Sequence, residues 1–430
     1  MNILYNIGTR AYFLGIRVAA ACGHRKARLM QEGRRDWARR LSEQLKALGD
    51  GAKQLVWFHA ASLGEFEQGR PLIEALHERY PQYHILQTFF SPSGYEVRKN
   101  YKGADIVCYL PYDKPAECRL FLDMVQPRFV FFVKYEFWGN MLEELSRRQI
   151  PTYLISGIFR QRQAFFKWYG GMLRPTLRAF RHIFVQDEES RRLLSTIGFD
   201  SNVTICGDTR FDRVIAIQQQ ARRFDWAERF AAGDGTSAKP FVLVAGSSWP
   251  KDEDILLPHF DRHPEMKLII APHEIHEEHI QSIIAKLHRP YLRYSKLRQM
   301  WEEGQLPEGQ LPDVPCDVLI IDAIGFLSGI YRYGQVAYVG GGFGVGIHNT
   351  LEAAVYGMPV IFGPNHTAFR EALGLLDAQG GFSISNAQQY DALMQRMMTD
   401  SAFLQDAGRR AGDYVQKESG ATEQIFKLFK

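Results

Sequence analysis

The chain has 430 residues, 46% apolar and 23% charged, enough to bury the cores of two or three domains. Its formal charge of +4 is too small to make nucleic acid the main partner. Its composition excludes a collagen, wholesale disorder, a disulfide scaffold and a multispan membrane protein. The charge is unevenly laid out, because residues 1–46 carry ten basic and three acidic side chains, a net of +7. Five widely spaced cysteines (Cys22, Cys108, Cys118, Cys206 and Cys316) form no C-x-x-C pair. They suggest neither a disulfide framework nor a zinc finger, and fit a reducing cytoplasm.

Residues 3–22 are rich in apolar side chains, among them Ile3, Leu4, Ile7, Phe13, Leu14 and Val18. A spanning helix needs about 20 mainly apolar residues, and Arg10 and Arg17 interrupt this stretch. A helix here gathers Asn6, Arg10 and Arg17 on one side, the pattern of an interfacial helix lying in the plane of a membrane. A single span or a buried helix is the alternative; a signal peptide is disfavoured by the arginines and the lack of a cleavage site. The basic run to Lys46 suits an anionic lipid surface.

From Leu55 onward short apolar runs alternate with amphipathic stretches. Strands are expected at 55–59, 83–89, 105–110, 128–133, 151–155, 182–186 and 203–206. Helices are expected at 66–80, 93–101, 115–125, 138–148, 161–180 and 188–197. Such alternation makes a mainly parallel sheet covered on both faces. Residues 216–239 begin as a charged helix and end in a Gly/Ser-rich break, read as a linker over 216–240. The pattern restarts with strands at 241–245, 267–271, 291–294, 317–321, 335–339 and 359–362. Helices begin near Asp252, Ile275, Gly325, Asn349 and Thr367, and two more close the chain at 387–399 and 402–417. The expected division is a basic segment 1–46, an α/β domain 47–215, the linker, and an α/β domain 241–430. A cleft between the two domains is the default ligand site.

Several junctions carry chemistry. His59 precedes Ser62-Leu-Gly64-Glu65; a carboxylate in a strand-to-helix loop either accepts a proton from a hydroxyl or complements the helix dipole. Glu136, after the apolar strand 129–133, has the same two readings. Gly246-Ser247-Ser248 can bind phosphate or cap a helix. Asp252-Glu-Asp254 formally matches a metal-binding D-x-D, but three acids in a first helical turn read as capping. His273, behind Pro272, is read as a ligand contact, and His276 and His279 as a solvated helix face. Gly340 to Gly346 holds five glycines in seven positions, with His348-Asn349-Thr-Leu-Glu352 opening the next helix. The loop is neither a dinucleotide fingerprint nor a P-loop, and a phosphosugar site fits it best. Phe159–Arg181 has six basic residues, six aromatics and no acid, which suits an anionic lipid interface.

His59-x-x-Ser62-x-Gly-Glu65, Glu136-Phe-Trp138, Gly207-Asp-Thr-Arg-Phe-Asp212, Gly246-Ser247 and His348-Asn-x-x-Glu352 through Gly363-Pro364 occur in that order. Together they resemble the 3-deoxy-D-manno-octulosonic acid (Kdo) transferases of lipopolysaccharide biosynthesis, over essentially the whole chain. The resemblance implies a GT-B fold, two Rossmann-like domains facing a cleft, with CMP-Kdo as donor and a lipid A precursor as acceptor. It implies Glu65 as catalytic base and Glu136 as a second essential carboxylate. Ser247, His273, Asn349 and Glu352 would hold CMP-Kdo, and Arg210 would face the donor phosphate or the sugar carboxylate. Ser62, Gly64, Gly246, Ser248, Gly342 and Gly344 complete the expected substrate-binding set. It further implies inverting transfer with neither metal nor cofactor, at the cytoplasmic face of the bacterial inner membrane. The chain departs from the family pattern at Ser248–Glu253, at Asp322–Leu327 (no Glu) and at Ser156–Ile158, leaving Arg160 or Arg162 to supply a missing arginine. Another GT-B enzyme acting on a UDP-sugar, as transferase or epimerase, is the alternative function, with a non-enzymatic membrane adaptor as a third.

Overall fold

A computed structural model describes residues 3–233 and 239–427, and divides the chain into two compact units. The first comprises Met1–Arg213 with Ser419–Lys430, the second Val214–Glu418.

In the first unit seven strands form one sheet: β1 (Leu55–Ala60), β2 (His84–Phe89), β3 (Ile106–Tyr109), β4 (Phe129–Val133), β5 (Thr152–Gly157), β6 (His182–Val185) and β7 (Val203–Ile205). Their order is β3-β2-β1-β4-β5-β6-β7, and every pairing is parallel. Successive side chains of a strand face opposite ways, so β1 feeds two cores. Leu55 and Trp57 pack with Phe121 and Phe132 on one face; Val56 and Phe58 pack with Leu72 and Phe131 on the other. Burial on both faces explains the continuous apolar runs of these strands.

The second unit repeats the design with β8 (Phe241–Ser248), β9 (Met266–Pro272), β10 (Tyr291–Arg293), β11 (Val318–Ile320), β12 (Val336–Val339), β13 (Val360–Phe362) and β14 (Gly381–Ser383). Their order is β10-β11-β9-β8-β12-β13-β14, again all parallel.

The expected boundaries change. Residues 1–46 form no separate segment: the helices Ile3–Ala21, Arg25–Gly33 and Trp37–Leu48 belong to the first unit. Leu41 enters its core, and Phe13 packs against Tyr112. The Tyr5 hydroxyl donates to Asp113 (2.6 Å) and accepts from the Gly139 amide (2.7 Å). Asn6 accepts from Asn140 and so faces the protein, whereas Arg10 and Arg17 face solvent. No helix among the described residues is long and apolar enough to cross a membrane. The helix Ala421–Lys427 returns to the first unit, where the Asp212 carboxylate accepts from the amides of Gly420 and Thr422. The second domain therefore ends at Glu418 rather than at 430.

Two helices, Thr209–Gln220 and Asp225–Ala232, occupy most of the expected 216–240 linker; 234–238 lie outside the described residues. The single helix expected over 161–180 is broken into 3₁₀ turns at Ala164–Phe166 and Trp168–Met172 and a short helix Arg174–Leu177. Gly170 lies so close to the Ala164 carbonyl that a Cβ would collide with it, and Pro175 lacks an N–H to continue a helix. The helix Tyr294–Glu302 and the short strand β14 have no counterpart in the sequence reading.

Candidate active site

In a sheet ordered β3-β2-β1-β4-β5 the chain reverses its direction of winding between β1 and β4, and ligands bind beyond the carboxyl ends of the strands at such a point. Two of the expected residues stand there. Glu65 lies in the first turn of the helix Leu63–Arg79, at the end of the helix dipole that attracts negative charge. Ser62, extended at the N-cap, makes no bond to the helix backbone; its hydroxyl donates to the Glu65 carboxylate instead. Gly64 is exposed.

Glu136 follows β4, behind Lys134, which adopts a left-handed φ of 65°. Its Oε2 accepts from Trp138 Nε1 (2.6 Å) and meets His59 Nε2 at 3.0 Å. An ionised carboxylate only accepts, so Nε2 carries the imidazole proton. The other ring nitrogen, Nδ1, lies 2.8 Å from the Thr88 hydroxyl, which accepts in turn from Trp57 Nε1 (2.7 Å). His59, Thr88 and Trp57 are buried, so this relay fixes the Glu136 carboxylate from beneath.

Arg210 also lies in the first unit. Its guanidinium is held at 2.8 Å by the buried Asp208, whose other oxygen accepts from the Arg210 amide (2.9 Å).

The second sheet has its own switch point between β8 and β12. Gly246, Ser247 and Ser248 end β8, where the pairing to β9 slips by one residue. A Cβ on Gly246 would strike the Tyr331 hydroxyl. Ser247 takes φ 53°, a conformation that costs a non-glycine residue energy and clusters at functional sites. Ser248 is a correction: it is fully buried and its hydroxyl donates to Glu253 (2.9 Å), so it braces the strand end rather than facing a ligand.

The glycine loop follows β12. Gly342 is packed against the backbone of Gly363, where no Cβ would fit, whereas Gly344 has open space around it. Gly342 is thus buried and fixed by packing, whereas Gly344 is exposed. Asn349 Oδ1 accepts from the Leu351 amide (3.1 Å) and its Nδ2 donates to Glu352 (3.0 Å), bringing that pair together as the spacing suggests.

His273 is exposed at the end of β9. It stacks on His348 (centroids 4.2 Å) and on Trp249 (4.8 Å). Those two rings are nearly parallel, at 5°, and joined by a hydrogen bond from Trp249 Nε1 to His348 Nε2 (3.1 Å). Burial, with the charge of His273 adding to it, lowers the His348 pKa to about 4.

The acids after Trp249 are structural. Asp252 accepts from the amides of Trp249 and Gly341 and from the Tyr338 hydroxyl, capping its helix and pinning the glycine loop; burial raises its pKa. Glu253 meets His279 Nε2 at 3.0 Å, and Asp254 pairs with Lys286. His279 is thus buried rather than on a solvated face, while His276 is exposed. No three His, Cys, Asp or Glu among the described residues are grouped to hold a metal ion.

Sequence reasoning missed the relay beneath Glu136 and the Trp249–His348 pair. Only the placement of His59 one residue before a strand end, and of Trp249 before a helix, hinted at either.

Residues 35–213 match the family model described as 3-Deoxy-D-manno-octulosonic-acid transferase (kdotransferase). A 3-deoxy-D-manno-octulosonic acid transferase of Haemophilus influenzae is 26% identical over 408 residues, covering 92% of this chain and 91% of that one. Its counterpart from Bordetella pertussis is 29% identical and covers 86% and 85%. Among solved structures, a putative UDP-N-acetylglucosamine 2-epimerase from Listeria monocytogenes superposes with a TM-score of 0.54 at 12% identity, covering 87% of this chain and 97% of the other. That likeness concerns the fold alone, a two-domain GT-B-like α/β architecture of parallel sheets.

Proposed function

We propose that this chain, a glycosyltransferase of the Kdo transferase type with the family's domain over residues 35–213, takes Kdo from CMP-Kdo and attaches it to a lipid A precursor. The reading is carried by one observation: the chemistry-bearing residues gather at the switch point of each sheet. Glu65 and Glu136 do so after β1 and β4; Ser247 and the glycine loop do so after β8 and β12.

Glu65, accepting from Ser62, removes the proton from the acceptor hydroxyl as that oxygen attacks the anomeric carbon of Kdo. Direct displacement inverts that centre through a cationic transition state. CMP departs as a phosphate monoester, which needs charge stabilisation rather than a proton. Backbone N–H groups of the glycine loop and the Arg210 guanidinium suit that task. Glu136, held by His59 and Trp138, positions the acceptor or stabilises the developing positive charge. No step in this scheme calls on a metal or cofactor.

The acceptor is a lipid, and the apolar outer face of the helix Ile3–Ala21 supports a place on the cytoplasmic face of the bacterial inner membrane. Incubation with CMP-Kdo and a lipid A precursor, followed by mass measurement of the products, tests the reading. A mass gain of one or more Kdo units is expected. Binding of a UDP-sugar in preference to CMP-Kdo would replace it with the UDP-sugar alternative.

A further inference from the structure

The N-terminal helices hold a feature that the transfer reaction does not use. On the outer face of Ile3–Ala21, Ile3, Ile7, Leu14 and Val18 are each more than half exposed, and their spacing sets them in one stripe. The stripe runs into a groove of about 840 Å³ between this helix and Arg25–Gly33. Leu14 and Val18 line both, with the Tyr112 ring beside them.

The polar side of the groove is strongly cationic. Arg17, Arg28, Arg34 and Arg35 line it against one acid, Glu32, which lies 3.9 Å from Arg28. Arg34 is the fixed member. It is buried, donates to the carbonyls of Leu110, Phe90 and Met30, and stacks over the rings of Phe90, Tyr109 and Tyr112. Burial lowers its pKa only to about 10, so it stays charged, and among the described residues no carboxylate pairs with it. A buried guanidinium held by carbonyls and rings keeps its positive charge unneutralised, and beside three further arginines it attracts an anion, while the apolar wall rewards one attached to a hydrocarbon chain.

We propose that this groove binds the phosphate headgroup of an anionic bilayer phospholipid, while the adjoining stripe of Ile3–Ala21 enters the acyl layer. The site rests on the reading of the chain as a membrane-surface enzyme, but its test reads no transfer, so the two fail separately. A diffuse basic surface attracts every anionic lipid alike and without fixed stoichiometry. A formed groove saturates and depends on which arginines are present.

The full chain is titrated calorimetrically with dioctanoyl phosphatidic acid below its micelle concentration, and its partition onto phosphatidylcholine vesicles with and without phosphatidic acid is measured. Saturation at one lipid per chain is expected. The double variant Arg28→Gln/Arg35→Gln weakens binding by about tenfold or more, whereas Arg25→Gln/Lys26→Gln, the same charge change on exposed positions outside the groove, shifts it by less than about threefold. Unchanged circular dichroism and melting temperature keep both comparisons valid. Absence of saturation, or equal losses in the two variants, overturns the site.

Discussion

His59 Nε2 lies 3.0 Å from Glu136 Oε2, joining the end of β1 to the loop after β4 across the switch point of the first sheet. The imidazole is buried, and its other nitrogen is met by Thr88. The ring therefore has one productive orientation, and the carboxylate inherits it.

His59→Phe keeps the ring volume but removes both hydrogen bonds. Among the described residues Glu136 then retains only Trp138, and the Thr88 hydroxyl loses a partner at a cost of about 1–3 kcal/mol in stability. The expected result is a fall in kcat of about 10–100-fold with little change in the KM for CMP-Kdo. Steady-state kinetics on folded variant decides it; an unchanged kcat would detach the relay from catalysis.

Glu65→Ala removes the proposed base. Turnover is expected to drop by about 10²–10⁴-fold, while calorimetric affinity for CMP-Kdo stays within about threefold, since the residue belongs to the other unit from Ser247 and the glycine loop. Ser62→Ala frees the carboxylate without removing it and should cost about tenfold or less. Near-normal turnover in Glu65→Ala would sink the assignment.

Two glycines of one loop should behave differently. Gly342→Ala forces a Cβ into the backbone of Gly363 and is expected to destabilise the second unit by about 1–3 kcal/mol. Gly344→Ala meets open space and should leave stability within about 0.5 kcal/mol, raising only the KM for the donor. Thermal melts beside donor titrations separate the two effects.

His348 makes stability depend on pH. Its pKa falls from the ordinary 6.5 to about 4 in the folded protein, by burial and then by the charge of His273. Between those values the unfolded chain binds a proton that the folded ring refuses. Its contribution is therefore complete above pH 6.5 and is lost as the pH falls toward 4. Because the ring is only partly buried, the loss is expected to be about 1 kcal/mol. Trp249→Phe removes the donor to Nε2 and should move the His348 titration upward, as followed by imidazole proton NMR. A parent ring titrating near 6.5 would contradict the geometry.

The strands were legible wherever both faces are buried: the runs at 55–59 and 129–133 are apolar because β1 and β4 sit in mid-sheet. The segment 161–180 misled because its composition suits a helix, while the packing of Phe165, Leu177 and Phe180 with Phe132 in the core is a tertiary fact. His279 misled in the same way. It lies in a stretch of acids that reads as solvated, yet Glu253 draws it inward from another helix.

By itself the sequence determined the alternation of strands and helices, the two-domain α/β plan, and the junctions at which Glu65, Glu136, Ser247 and Asn349 fall, because these follow from local periodicity and turn chemistry. Tertiary structure alone decided which of those residues have free chemistry. Ser248 and Gly342 sit in motifs like their neighbours, but Ser248 bonds Glu253 in the core and Gly342 lies against Gly363. The same holds for the C-terminal helix, which joins the first unit through Asp212, more than 200 positions away. Hydrogen bonds and close packing between segments distant in the chain leave no periodic trace along it; only folding brings the partners into reach.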